Sequence, residues 1–179
     1  MSKSSTGNPA CVAGGLFVAW AIHDLEEMAT MPATSEVLAT QLERTQWAPA
    51  VALANHVRTS TKESALAILL MGTLVAGAAV HGAATNGRSP FFQYVLAGLH
   101  GHVYTHIAAS FRLRGYSTGV VTAIAVMLPY SLHARRVLRA NGSLIEGPYP
   151  YVLGGVLLLP ATFACHTLAR VLSGRRDRQ

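Results

Sequence analysis

Five apolar runs organise this 179-residue chain, each close to the ~20 residues a helix needs to cross the hydrocarbon core of a bilayer. They cover about residues 10–30, 62–84, 90–111, 117–133 and 148–172, and LAILLMGTLVAGAAV in the second is the clearest. Charged residues make up only 12% of the chain against 51% hydrophobic ones, where a soluble domain carries about 25% charged. Too few charges remain to clothe a soluble surface, and those present cluster between the runs. The expected fold is therefore all-α: a polytopic membrane helix bundle of about five transmembrane helices in a single domain, 1–179.

The segments between the runs carry their own information. Residues 31–61 hold Val37, Leu38, Leu42 and Trp47 at roughly helical spacing among charges, which predicts an interfacial amphipathic helix broken near Pro49. Basic residues at the run ends favour an outside N-terminus and a cytoplasmic C-terminus with a basic tail, 173–179. The net charge of +6 suits anionic lipid headgroups, and no nucleic-acid motif accompanies it. Cys11 and Cys165 lie in apolar runs without CxxC spacing, so no disulfide framework is expected. The first run passes into charged residues without a cleavage-type site and reads as a retained helix. Glycines such as Gly72, Gly98, Gly101 and Gly154 permit close helix packing, and a homo-oligomer is compatible with them.

Titratable groups inside such runs are costly and call for a reason. The first run ends in WAIHDLEEMAT, where His23, Glu26 and Glu27 stand at i, i+3 and i+4 on one helix face. Helix bundles use imidazole and carboxylate at this spacing to hold metal ions. Asp24 points about 100° away, toward the interface or another helix. The third run carries HGHVYTH, in which His102 and His106 are one turn apart and His100 is on another face. At about 1.5 Å per residue, His23 and His102 lie roughly 18–20 Å along their helices, and Glu26, Glu27, His106 and His166 about 24–26 Å. The groups are thus matched in depth near the cytoplasmic face. His81 and His133 sit toward the other face and, with His166, read as hydrogen-bonding anchors. His56 and Glu63 flank the second run and could fold over the cluster.

At these residues the chain resembles the HXXEE-motif family, with the motif standing as His23-Asp24-Leu25-Glu26-Glu27 after Trp20. The stretch from His106 to Gly119 is similar as well: a histidine precedes a YxPG-like turn into the next run. Here Tyr116-Ser117-Thr118-Gly119 lacks the proline. The resemblance implies a small multi-span membrane protein and supports His23, Glu26, Glu27 and His106 as a site, but it supplies no reaction.

The residues point first to a membrane-embedded enzyme acting on a lipophilic small molecule near the cytoplasmic face. Its divalent metal (zinc, iron or manganese) would be held by His23, Glu26 or Glu27, His102 and His106. Segment one supplies few carboxylates, which favours one ion over two. The spare glutamate, Glu26 or Glu27, is the candidate general base, and Tyr104 or Tyr116 the candidate proton donor. A metal-free version pairs His23 with Glu26 for isomerisation or cyclisation. The alternative from another class is a non-catalytic ion-binding or transport-associated protein.

Overall fold

Proline, serine and asparagine at the run boundaries start the helices where the backbone would otherwise leave N–H groups unpaired. The computed structural model describes residues 7–174, all helix and connecting turns with no strand among them. Lys3, Arg175, Arg176 and Arg178, and most of the expected basic tail, lie outside the described residues. Helix α1 (Pro9–Arg44) begins with Pro9 in its first turn and Asn8 accepting from the Ala10 N–H. Helix α2 (Ala48–Val57) follows. Helix α3 (Thr61–Ala84) opens on a reciprocal capping box between Ser60 and Glu63. Helix α4 (Pro90–Leu113) starts at Ser89, which accepts from the Phe92 N–H. A short α5 (Val120–Thr122), a π-helical stretch (Ala123–Met127) and α6 (Leu128–Ala140) form one rod, followed by α7 (Tyr149–Ser173).

The apolar runs correspond to α1, α3, α4, the α5–α6 rod and α7, with two differences from the expected boundaries. The first run does not end at residue 30. It continues as one helix to Arg44, about 54 Å long at 1.5 Å per residue. The expected break near Pro49 is instead a helix start. The chain turns at Thr45–Trp47, and Pro49 occupies the opening turn of α2, where its missing N–H costs nothing. The fourth run likewise extends past His133 to Ala140. Within it Pro129 has no N–H to give, and the ladder widens just ahead of it: the Leu128 N–H reaches the Ala123 carbonyl, one residue farther than in an α-helix.

The five long elements close into a ring. Contacts run from α1 to α3, α3 to α7, α7 to α4, α4 to α6 and α6 back to α1, with α3 and α4 also touching. The core inside combines Leu16, Trp20, Val75, Phe92, Leu96 and Met127. Small residues set the closest crossings. A Cβ on Gly154 of α7 would stand 2.6 Å from the Gly98 amide nitrogen of α4 and would meet the Tyr94 carbonyl oxygen. Backbone meets backbone there, and no side chain can give way.

Helix α2 is clasped to the overhanging end of α1. The Arg58 guanidinium donates to Glu36 at 3.1 Å and to Glu43 at 2.8 Å. The hydrogen bond from Arg58 holds the Glu43 carboxyl below the usual carboxylate range. Among the described residues two helices, α3 and α7, are long and apolar enough to cross a membrane, yet only 33% and 11% of their most apolar stretches are buried.

The α4–α7 crossing predicts that Gly154→Ala destabilises the fold by about 1–3 kcal/mol, the usual cost of overpacking. Gly155→Ala, with open space around its added carbon, does not lower the melting temperature and raises it slightly through the helix preference of alanine. Thermal unfolding of both variants in detergent checks the pair.

Candidate metal centre

The ring of helices brings α1, α4 and the turn into α5 to one place. There His23 and Glu27 of α1 meet His102 and His106 of α4. One nitrogen or oxygen from each lies within 4.8 Å of all the others. The Glu27 Oε1 is 3.3 Å from His106 Nε2 and 3.9 Å from His23 Nε2. His23, Glu27 and His106 are buried, and His102 is the most open of the four.

The outward-facing Nδ1 atoms fix two of the three tautomers. His106 Nδ1 lies 2.7 Å from the Thr118 carbonyl oxygen, which can only accept, so this nitrogen carries the hydrogen. The Thr122 hydroxyl donates to Glu26 Oε2 at 2.5 Å and so accepts from His23 Nδ1 at 3.0 Å. The Thr105 hydroxyl lies 2.7 Å from the His102 carbonyl and 3.1 Å from His102 Nδ1, so its one hydrogen can go to either and His102 can carry its own hydrogen on either nitrogen. His23 and His106 thus turn bare Nε2 lone pairs toward the cluster. His102 Nε2 stands 2.8 Å from His106 Nε2, a separation that a hydrogen on His102 Nε2 satisfies and that a cation between the rings would satisfy as well. A zinc–nitrogen bond of about 2.0–2.1 Å places tetrahedral donors roughly 3.3 Å apart, between this separation and the 4.8 Å that bounds the whole group.

Glu26 stands one layer out. Its Oε1 accepts from the Tyr116 hydroxyl at 2.5 Å and from the Val121 N–H at 3.3 Å. Its Oε2 accepts from the Thr122 N–H at 2.7 Å and the Thr122 hydroxyl. Four donors occupy a carboxylate that offers about four lone-pair sites, leaving none for a metal. Glu26 instead caps the start of α5 and, through Thr122, orients the His23 ring. Carboxylates held behind a ligating histidine commonly serve this purpose. Glu26 is thus not among the converging donors, which replaces the either-glutamate expectation with Glu27 alone.

The remaining sequence candidates fall as follows. Tyr116 is bound to Glu26, while Tyr104 is exposed and stacks edge-on against His100 at 5.5 Å. His100 itself is buried on α4, bonded to Ser131 at 2.7 Å. His56 is exposed and bonds its own helix, and Glu63 serves its capping box, so neither covers the cluster. Of the two directions expected for Asp24, the interface or another helix, it takes the second: it is buried where α1 meets α3.

The sequence shows the turn after His106 but not that it closes the centre. Gly119 has φ +72°, and a Cβ there would lie 2.8 Å from His23 Cε1 and 3.0 Å from both Glu27 Cγ and His106 Cε1. Both the backbone conformation and the space require glycine. Hydroxyls do the bracing expected of the absent proline. Thr118 Oγ1 meets Thr30 Oγ1 at 2.7 Å, and Ser117 Oγ meets Ser110 Oγ at 2.9 Å and donates to the His106 carbonyl at 3.1 Å. Gly119 was visible as part of the motif; nothing in the spacing announced Thr122.

A cavity of about 370 Å³ adjoins the cluster. Glu27 and His102 lie in its wall, along with Asp24 and His166, while Trp20, Ile68, Met71, Leu99 and Leu158 make most of the rest apolar.

Fold and site together define an all-helical bundle protein with three imidazoles and one carboxylate converging beside an apolar cavity. The chain belongs to the family described as protein of unknown function with HXXEE motif, whose model matches residues 15–134. That span contains all four converging residues, Glu26 and the Gly119 turn. No curated protein and no solved structure matches the chain at a significant level.

Gly119→Ala is expected to push the α4–α5 turn off the histidines while leaving the helices intact. The expected signature is unchanged far-ultraviolet circular dichroism with displaced His23 and His106 imidazole resonances by NMR. Unmoved resonances would contradict the packing described.

Proposed function

We propose that this protein is a membrane-embedded, metal-dependent enzyme acting on a lipophilic small molecule. The observation that carries the reading is the convergence of His23, His102, His106 and Glu27, with one nitrogen or oxygen from each within 4.8 Å of the others. A divalent cation would be held by the three imidazoles, with a fourth position left for substrate beside Glu27. Three nitrogens next to a carboxylate, without thiolate, suit zinc, iron or manganese. The single carboxylate favours one ion over a pair.

A five-span placement in the bilayer has its own support. Helices α3 and α7 are apolar and mostly uncovered, whereas a core helix of a soluble protein would be mostly buried. Helices α1 and α4 are less apolar because of His23, Asp24, Glu27, Gln93, His100 and His106, and all six are folded inward. What α1 turns outward is Phe17, Val18, Ile22 and Leu25. Intramembrane polar groups that face the bundle interior fit this pattern. Arg112 and Arg114 at the end of α4, with Lys62 and Arg170, fall at the same ends of their helices as the cluster, while Arg44 and Arg58 lie beyond it, at the far end of α1 and the end of α2. This distribution supports an outside N-terminus with the site near the cytoplasmic face.

The chemistry follows from the residues. A bound cation supplies Lewis acidity to an oxygen on the substrate. The apolar cavity holds the substrate's hydrocarbon and excludes water. Glu27, which reaches both the donor cluster and the cavity wall, is placed to accept a proton from a bound substrate, while Thr105, Thr118 and Thr122 keep the rings oriented. A metal-free acid–base reading has one observation in its favour: a shared proton would also reconcile the two Nε2 atoms.

Elemental analysis and zinc titration of detergent-purified protein separate the two. The expected result is one divalent ion per chain, lost in His23→Ala and His106→Ala. Thr122→Val, which uncouples His23 from Glu26, weakens binding about 10–100-fold. A folded wild-type protein that takes up no zinc, iron or manganese overturns the metal reading, and turnover surviving Glu27→Gln undiminished overturns the proton-transfer role.

A further inference from the structure

Four glycines on α4 and α7 divide into two kinds. Gly98 and Gly154 meet backbone to backbone, and a Cβ on either would collide. Gly101 lies one turn past that crossing on α4 and Gly155 adjoins it on α7, yet a Cβ on either would find nothing within 4 Å. Helix packing does not demand glycine at these two positions, and glycine inside a helix is less favourable than alanine. Both line the cavity beside the donor cluster. On α4 the wall is one stripe at helical spacing: Gly98, Gly101, His102 and Thr105. On α7 the corresponding stripe is Tyr151, Gly155, Leu159, Thr162 and His166. Gly101 and Gly155 stand inside these stripes, so side chains there would point into the cavity. The volume they leave free is part of it.

The shape and the mouth of the cavity say what fits it. Its α7 wall runs from Tyr151 to His166, about 22 Å of helix axis at 1.5 Å per residue. A volume of about 370 Å³ drawn out along that wall makes a slot, not a rounded chamber. On the α1 and α3 side the lining residues Trp20, Glu27 and Ala67 are buried. On the α4 and α7 side Thr105 and Thr162 are exposed, and Leu159 is 73% exposed. The mouth is therefore lateral, between α4 and α7. It opens beside Val152, Val156 and Phe163, the uncovered apolar face of α7, which the five-span placement puts against hydrocarbon. Inside, the slot reaches His102 and Glu27 of the donor cluster.

We propose that this slot takes the hydrocarbon chain of a single-chain lipophile from the bilayer, which enters sideways between α4 and α7, and that Gly101 and Gly155 set the width it accepts. The inference rests on the lipophilic-substrate reading and adds the direction of entry, the kind of chain and the two specificity-determining positions. A chain that arrives this way stays in apolar surroundings throughout, with Trp20, Ile68, Met71, Leu99 and Leu158 replacing the lipid tails it leaves. Van der Waals contact with these walls favours a chain that fills the slot. Its polar end comes to rest beside Glu27 and His102. A lipid with two chains is too broad for the slot and stays outside.

Photolabelling tests the proposal. A long-chain alcohol carrying a diazirine on its chain is placed with the protein in phosphatidylcholine nanodiscs and photolysed, and the adducts are mapped by peptide mass spectrometry. Label is expected on Met71, Leu158 and Cys165 of the slot, and unlabelled octadecanol competes it away although two-chain lipid is in large excess. Label on the uncovered Val152 and Phe163 is not competed and gives the baseline. Gly101→Leu and Gly155→Leu, which fill the slot, each lower the competed label about tenfold, as overpacking of a fitted site does. Gly77→Leu, on an exposed face of α3 and also with open space around its Cβ, leaves it unchanged. Where a leucine variant fails to fold, Gly101→Ala and Gly155→Ala lower it by a smaller, measurable factor. Competed slot label that the substitutions at Gly101 and Gly155 do not lower overturns the proposal. Competed label found instead at Phe17 and Leu69, between α1 and α3, overturns it while keeping a lipophilic substrate, and competed label nowhere overturns both. Zinc titration of the same nanodiscs keeps the metal apart: competed slot label in a protein that binds no metal leaves this inference standing and removes the metal.

Discussion

The convergence of three imidazoles constrains everything else at the centre. His23 and His106 give their Nδ1 hydrogens to oxygens behind them and present lone pairs forward, and His102 Nε2 stands 2.8 Å from His106 Nε2. In a medium of low dielectric such a cluster is costly without a shared proton or a cation at its focus. Glu27 brings a carboxylate oxygen to the same place. The hydroxyl and the carbonyl behind His23 and His106 thus do as much to define the centre as the rings themselves, since rotating either ring would expose its N–H to the focus.

Holding that geometry falls to the junction between α4 and α5. Gly119 allows the turn to press against His23, Glu27 and His106 with no side chain between. Just beyond it, Glu26 accepts the first N–H groups of α5 and the Thr122 hydroxyl. One carboxylate therefore starts a helix, ties α1 to α5 and orients a histidine. The π-helical stretch that follows lets the rod continue through Pro129, so that α6 returns to pack on α1 and close the ring of helices.

Much of this was legible in the sequence, though unevenly. The helices were, because apolar runs bounded by Ser89-Pro90 or Ser60 with Glu63 state both composition and caps. The spacing of His23 with Glu27 and of His102 with His106 was likewise readable, because residues four apart on a helix share a face whatever surrounds them. Which glutamate joins the cluster was not, since Glu26 and Glu27 sit on nearly the same face and only the distant Thr122 and Tyr116 decide between them. Residues 31–44 looked like a separate interfacial helix because charges replaced apolar residues there, although the backbone simply continues. The angle of Asp24 left it facing either the interface or another helix, and only the positions of α3 and α7 decide for the second.

Cobalt substitution tests the central claim most directly, because the visible spectrum of bound Co²⁺ reports both donor number and geometry. The account predicts one Co²⁺ per chain with the intense red-side bands of a four-coordinate site, and loss of those bands in His23→Ala, His102→Ala and His106→Ala alike. A weak, six-coordinate spectrum indifferent to these substitutions, or no uptake by folded protein, would contradict convergence of the three imidazoles on one ion.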